Sequence, residues 1–200
     1  MIDTQIRTLI EKPLQLLGRM AIASGLTANK LSFIGFGLGI MAGFAVMAGL
    51  FMGALVLILL SRLCDGLDGT VARLTKPTNK GAFLDIALDF LFYSFIPLSF
   101  AIYNPDWALA SAFLIFTFIG TGSSFLAYAI MAEKAPIKNK DKNRKGFYYL
   151  GGLTEGTETI LMLCACCLFP LYFPYFAYLF GCLCLLTTAL RIHQGYIDFD

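Results

Sequence analysis

Charge is scarce in this chain. Only 14% of its 200 residues are charged, against ~25% in an ordinary soluble domain. With 58% hydrophobic residues and a mean hydropathy of +0.74, it excludes itself from the soluble globular class. Histidine is almost absent: His193 stands alone, at the end of the last apolar stretch, and reads as a surface residue. That removes the usual nitrogen ligand of zinc sites. Cysteine is not rare, but Cys64, Cys164, Cys166, Cys167, Cys182 and Cys184 fit no zinc spacing, and five of them lie inside apolar segments. Thiols so placed act as small hydrophobes. No linker and no internal repeat divides the chain, so residues 1–200 form a single membrane domain. The net charge of +2 is unremarkable, and no nucleic-acid partner is expected.

A spanning helix needs ~20 mostly apolar residues. Six windows qualify: Leu31–Gly49, Phe51–Leu63, Phe83–Ile102, Ala108–Ala132, Ile160–Phe173 and Tyr175–Leu190. The second and fifth reach spanning length only with their polar ends, Arg62–Arg73 and Thr154–Glu158. The expected fold is all-α, a six-transmembrane-helix bundle over residues 31–194. An amphipathic interfacial helix over residues 1–22 precedes it, with Ile6, Leu9, Ile10, Leu14, Leu17 and Met20 near one face. A helix packed on the bundle is the alternative. Arg7, Glu11 and Lys12 interrupt any signal-peptide core.

Lysine and arginine are missing from the loops after windows one, three and five; all 15 lie elsewhere. Such residues accumulate on the cytoplasmic side, so both termini and the segment after window two are expected to face the cytoplasm. Tyr103 and Trp107 suit the far interface. The lysines of Glu133–Phe147 fit the same bias and an attraction to anionic lipid. Gly35, Gly39 and Gly43 form a stripe that permits close helix contact, within the bundle or between copies. Pro97 should kink its helix.

Against this background stands Cys64–Asp89, CDGLDGTVARLTKPTNKGAFLDIALD, with four aspartates. Asp65 and Asp68 are three apart and share a helix face; Asp85 and Asp89, four apart, share another. The link around Pro77 is short, which makes the two helices antiparallel neighbours. Two carboxylate pairs therefore converge at one end of the bundle. Burying such charge alone costs several kcal/mol. Arg62 and Arg73 are near, but two guanidiniums would not fill an all-oxygen cluster. Hard divalent cations would: Mg²⁺ or Mn²⁺ takes carboxylate oxygens and keeps positions open for phosphate. Gly66, Gly69 and Gly81 weaken a helix by roughly 1 kcal/mol each, which makes sense where something bulky lies against the backbone. Ala72 keeps the same surface low, and Arg73 offers a fork for a diphosphate.

The pattern Asp65-x-x-Asp68-Gly69-x-x-Ala72-Arg73, then seven residues, then Gly81-x-x-x-Asp85-x-x-x-Asp89, resembles the full signature of the CDP-alcohol phosphotransferases at eight fixed positions. The interfacial helix, the six spans and the placement of the motif resemble the same family. So does the entry LTANKLS at Leu26–Ser32, where Ala28 replaces a common proline. The resemblance implies an integral membrane transferase, expected in a bacterial inner membrane with its site facing the cytoplasm. It would pass a phosphatidyl group from CDP-diacylglycerol to a small alcohol and release CMP, in phospholipid biosynthesis. Asp65, Asp68, Asp85 and Asp89 would hold two divalent cations, Mg²⁺ or Mn²⁺, and Asp89 would be the catalytic base. Gly69, Ala72, Arg73 and Gly81 would contact the CDP portion. A homodimer is also implied. A variant reading uses a soluble CDP-alcohol and a lipid acceptor; a scaffold without activity is another. A divalent-cation transporter is the distant alternative, but its acids should lie near the midplane rather than at one end.

For the acceptor, Gly151–Ile160, GGLTEGTETI, is informative. The inositol-phosphate-using branch resembles Glu-Arg-x-Glu-Arg here. This chain keeps Glu155 and Glu158 but has Gly156 and Thr159 in place of the arginines. That argues against inositol phosphate. Lys134 and Arg191 could still bind an anion, and Glu155 and Glu158 would suit a hydroxyl-rich or amine-bearing acceptor. Alternatively the two glutamates only favour a helix N-terminus.

Overall fold

A computed structural model describes residues 2–134 and 154–199, with side chains from Lys12 onward. Among the described residues the chain is helical throughout and has no strand. The order is α1 (Ile2–Ala23), α2 (Ala28–Met47), α3 (Phe51–Leu74), α4 (Asn79–Tyr103), α5 (Ala108–Lys134), α6 (Gly156–Leu168) and α7 (Phe173–Asp198). Short 3₁₀ turns at Pro105–Trp107 and Pro170–Tyr172 precede α5 and α7. Most of Glu133–Phe147 and the opening of Gly151–Ile160 lie outside the described residues.

Local chemistry sets the helix starts. Thr27 caps α2 by accepting from the Lys30 N–H, and Thr78 caps α4 by accepting from the Gly81 N–H. At α6, Glu155 and Glu158 form a reciprocal capping box. Pro170 and Pro174 flank the turn into α7, as expected. Pro97 is buried, yet α4 is unbroken from Asn79 to Tyr103. All six cysteines are free, and Cys166, Cys167 and Cys184 are buried in the packed interior.

α2 lies along both α3 and α4, α4 along α5, and α5 along α7; α1 rests on α3. The core runs through Ile58, Phe92, Ile96, Phe100, Leu114, Leu163 and Phe173, with Phe100 and Phe173 stacked at 4.3 Å. The outer surface is also apolar, with Phe44, Met52, Leu109, Phe116 and Leu171 exposed. A protein greasy inside and out is a membrane protein. Among the described residues four stretches are long and apolar enough to span: Ala28–Met47, Asn79–Tyr103, Pro105–Lys134 and Pro170–Asp198. Two of the six expected spans miss that standard for different reasons. α3 is long but carries Arg62, Asp65, Asp68 and Arg73 from its midpoint onward. α6 has 13 residues, about 20 Å of helix against ~30 Å of hydrocarbon. In α1, Gly18 is pressed against Thr70 of α3, while Leu16 and Met20 are exposed.

The glycine stripe of α2 is used inside the chain. Gly35 abuts Cys64 and Ser61, Gly39 meets Phe92, and Gly43 meets Phe95 and Ser99. A Cβ on Gly39 would stand 2.6 Å from Phe92 Cδ2, and Phe92 is fully buried and cannot step aside. Gly39→Ala should therefore cost roughly 1–3 kcal/mol, read as a lower melting temperature in detergent. Gly37→Ala, whose Cβ meets nothing within 4 Å, should leave that temperature unchanged or slightly raised.

Candidate active site

The site is built where α3 ends and α4 begins. One turn separates Asp65 from Asp68 on α3, and one turn separates Asp85 from Asp89 on α4. The Thr75–Thr78 link folds α4 back beside α3, so the two faces meet. Ligand oxygens of Asp65, Asp68 and Asp85 lie within 4.8 Å of one another. Asp68 is buried, Asp65 half-buried and Asp85 exposed. From α2, Ser32 Oγ donates a short hydrogen bond to Asp68 Oδ2.

The fourth carboxylate is held differently. Arg62 Nη1 donates to Asp89 Oδ1 at 2.6 Å and stands 3.5 Å from Asp65 Oδ1. Arg62 Nη2 donates to Ser61 Oγ at 3.2 Å, and Ser61 Oγ in turn donates to the Gly35 carbonyl at 2.7 Å. The guanidinium lies 4.2 Å over the Phe92 ring and 5.7 Å from that of Tyr93. A single buried cation thus bridges the two acidic helices. Asp65, Asp68 and Asp85 come together, whereas Asp89, expected to join them, is engaged by Arg62.

Two hollows adjoin the cluster. A crevice lined by Ser32, Arg62 and all four aspartates offers about 10 Å³, room for one water or bare ion. A larger cavity of about 340 Å³ opens beside it, walled by Gly69, Ala72, Gly81 and the Thr75–Thr78 link, with Asn29 opposite. That volume lies in the range of small-molecule sites, ~300–1,000 Å³. Ser32, Asp68 and Asp85 line both. Arg73 does not line either; its Nη2 donates to Thr70 Oγ1 at 3.0 Å, and its Nη1 lies over Gly69. The all-oxygen donor set and the ion-sized crevice fit a hard divalent cation.

The acceptor candidates lie apart from both hollows. Lys134 is exposed at the end of α5. Glu155 and Glu158 cap α6, the role the helix-terminus alternative allowed. Arg191 is buried on α7, donating from Nη1 to the Thr121 carbonyl at 2.8 Å and to Ser124 Oγ at 3.3 Å. Thr159 Oγ1 donates to the Glu155 carbonyl, and Thr154 pairs with Thr187 across to α7. Sequence reasoning gave no site role to three residues. The ion pairs of Arg62 had a signal, three positions before Asp65. Ser32 had none, since it is 36 residues from its partner. Thr78, which lines the larger cavity, gave no signal beyond its place in the polar link.

A model of the CDP-alcohol phosphatidyltransferase domain matches residues 25–190. The chain belongs to this family. It is therefore a transferase of phospholipid biosynthesis. Inner membrane protein YnjF of Escherichia coli is 48% identical over 98% of this chain and 96% of its own length. Archaetidylinositol phosphate synthase of Pyrococcus horikoshii is 31% identical over 43% of this chain and 46% of its own. The fold is similar to that of the phosphatidylinositol phosphate synthase of Mycobacterium tuberculosis, solved with CDP-DAG bound. That match has a TM-score of 0.66 at 16% identity and covers 92% of this chain and 93% of that one. Membership replaces the transporter alternative with an enzyme.

Ionised Asp65, Asp68 and Asp85, with ligand oxygens within 4.8 Å of one another, repel each other. Asp85→Asn should raise the melting temperature in chelator, by roughly 1 kcal/mol of relieved repulsion after solvent screening. On adding Mn²⁺, the wild-type protein should gain more in melting temperature than the variant does. A lower melting temperature in chelator would mean that Asp85 stabilises the apo fold.

Proposed function

We propose that this phosphatidyltransferase uses CDP-diacylglycerol as donor and a small alcohol as acceptor, releasing CMP, with two divalent cations at Asp65, Asp68, Asp85 and Asp89. The observation that carries the reading is the convergence of Asp65, Asp68 and Asp85 within 4.8 Å, beside a cavity of about 340 Å³ walled by Gly69, Ala72 and Gly81. An ion site and a nucleotide-sized hollow that share Asp68 and Asp85 suit a diphosphate lying across the boundary between them.

Divalent ions bound there would neutralise the diphosphate and stabilise CMP as it departs. The remaining work falls to the chain. Gly69, Ala72 and Gly81 keep one wall low enough for the nucleotide to reach the backbone. Arg73 lies over Gly69, placed to swing its fork toward the diphosphate. Asp89 takes the proton of the acceptor hydroxyl. The acceptor oxygen then bonds to the phosphatidyl phosphorus, the bond from that phosphorus to the CMP oxygen breaks, and CMP leaves. Holding both reactants in line removes much of the remaining barrier.

The bundle would be six spans with α1 lying in the interface. The distribution of lysine and arginine supports a cytoplasmic site, in an inner membrane of bacterial type. The α2 stripe is occupied inside the chain, so a homodimer would form through another face. Gly156 and Thr159 supply no cation at the start of α6. That argues against inositol phosphate as acceptor and leaves glycerol 3-phosphate open beside a hydroxyl-rich or amine-bearing alcohol. Lys134, Glu155, Glu158 and Arg191 are the residues to test for its binding.

The experiment is CMP release by purified protein from CDP-diacylglycerol with a panel of alcohols, including glycerol 3-phosphate and inositol phosphate. CMP should appear with Mg²⁺ or Mn²⁺ and stop with chelator. Asp89→Asn should slow turnover by roughly 10²–10⁴-fold while CDP-diacylglycerol still binds. Turnover only with a soluble CDP-alcohol and diacylglycerol would reverse the assignment of donor and acceptor. No CMP with any pair would reject the reading.

A further inference from the structure

Arg62 belongs to none of the eight signature positions, yet it pairs with two of the four aspartates. Its side chain is 9% exposed. Its Nη1 serves Asp89 and Asp65, its Nη2 serves Ser61, and its plane rests on Phe92. Its Nε is buried with no hydrogen-bond partner among the described residues. A guanidinium held at that expense is fixed by what it does for its neighbours. It lines the same ion-sized crevice as the four aspartates, so its positive charge shares the space that suits a divalent ion.

We propose that Arg62 is an internal counter-cation of the cluster, a positioning residue that holds the Asp89 carboxylate and competes with divalent ions for it. The inference rests on the cluster being a divalent-ion site, as proposed above. Two consequences of opposite sign follow. Arg62 lets the acidic faces of α3 and α4 meet when no ion is bound. It also weakens the hold of the cluster on ions, because a positive charge in the crevice repels them. The hydrogen bond from Nη1 occupies Asp89 Oδ1 and leaves Oδ2 for other partners. Asp89 is thereby presented in one orientation. The Phe92 ring beneath the guanidinium is itself clamped against Gly39, so the position of the cation is set by the packing of α2 on α4.

The test uses full-length protein in detergent and follows thermal stability with Mn²⁺ titration, independently of turnover. Arg62→Met keeps a flexible apolar stem over Phe92 and removes the charge. It should lower the melting temperature in chelator and, in the opposite direction, reduce the Mn²⁺ concentration for half-maximal stabilisation by roughly tenfold. A residue with a merely structural role would weaken Mn²⁺ binding or leave it unchanged, and either result overturns the proposal. Arg62→Lys keeps the charge without the planar stack. Its Mn²⁺ response should stay within about threefold of wild type, while kcat for CMP release falls and KM for CDP-diacylglycerol holds.

If Arg62→Met fails to fold, the double variant Arg62→Met with Asp89→Asn carries the test. Removing both partners should restore a folded protein, and a double variant no more stable than the single one overturns the proposal. CMP release with no tightening of Mn²⁺ in Arg62→Met sinks this inference alone. Tightening without CMP release by wild type sinks the transferase chemistry alone.

Discussion

Like charge confined at the seam of α3 and α4 is the constraint on which the rest of this structure depends. Carboxylates of Asp65, Asp68 and Asp85 converge within 4.8 Å, and at that separation two unit charges repel by roughly 1 kcal/mol in water and more in a protein. Neighbouring features answer the repulsion. Ser32 donates to Asp68, Arg62 bridges Asp65 and Asp89, and Ser61 orients Arg62. Close approach of α2 makes this network reachable, and that approach depends on Gly35 and Gly39 having no side chains to keep α3 and α4 away.

The cost of that arrangement is visible in α3. It has the length of a span but too many charges to qualify by composition. Its apolar half lies in the core through Ala54 and Ile58, while its polar half supplies the site. A helix divided in this way can enter a membrane only beside partners that satisfy its acids. α2 and α4, both long and apolar, provide that cover on the side where the aspartates face.

Much of this was legible in the chain, because helical period is a short-range signal. Spacings of three and four placed each aspartate pair on one face, and the brief link around Pro77 predicted the antiparallel return. The apolar windows predicted α2, α4, α5 and α7 closely; they counted α6 as a span by including its polar opening, which is a cap on a helix of 13 residues. The family expected from the signature is borne out. Tertiary partners were less legible. Ser32 meets Asp68 across 36 residues, and nothing local announces it. Arg62 was noticed only as a nearby charge, because spacing gave Asp65 but not Asp89 or the ring of Phe92. The glycine stripe admitted two surfaces, and only the packed bundle chose between them.

Thr27 and Thr78 both begin helices and both line the larger cavity. The hydroxyls that start α2 and α4 therefore belong to the same wall a nucleotide would touch. A substitution there that spoils ligand fit also frays a helix end. Divergence at this wall is thus doubly filtered, and new donor preferences would more easily arise through Asn29 or Ala82, which line the cavity without starting a helix.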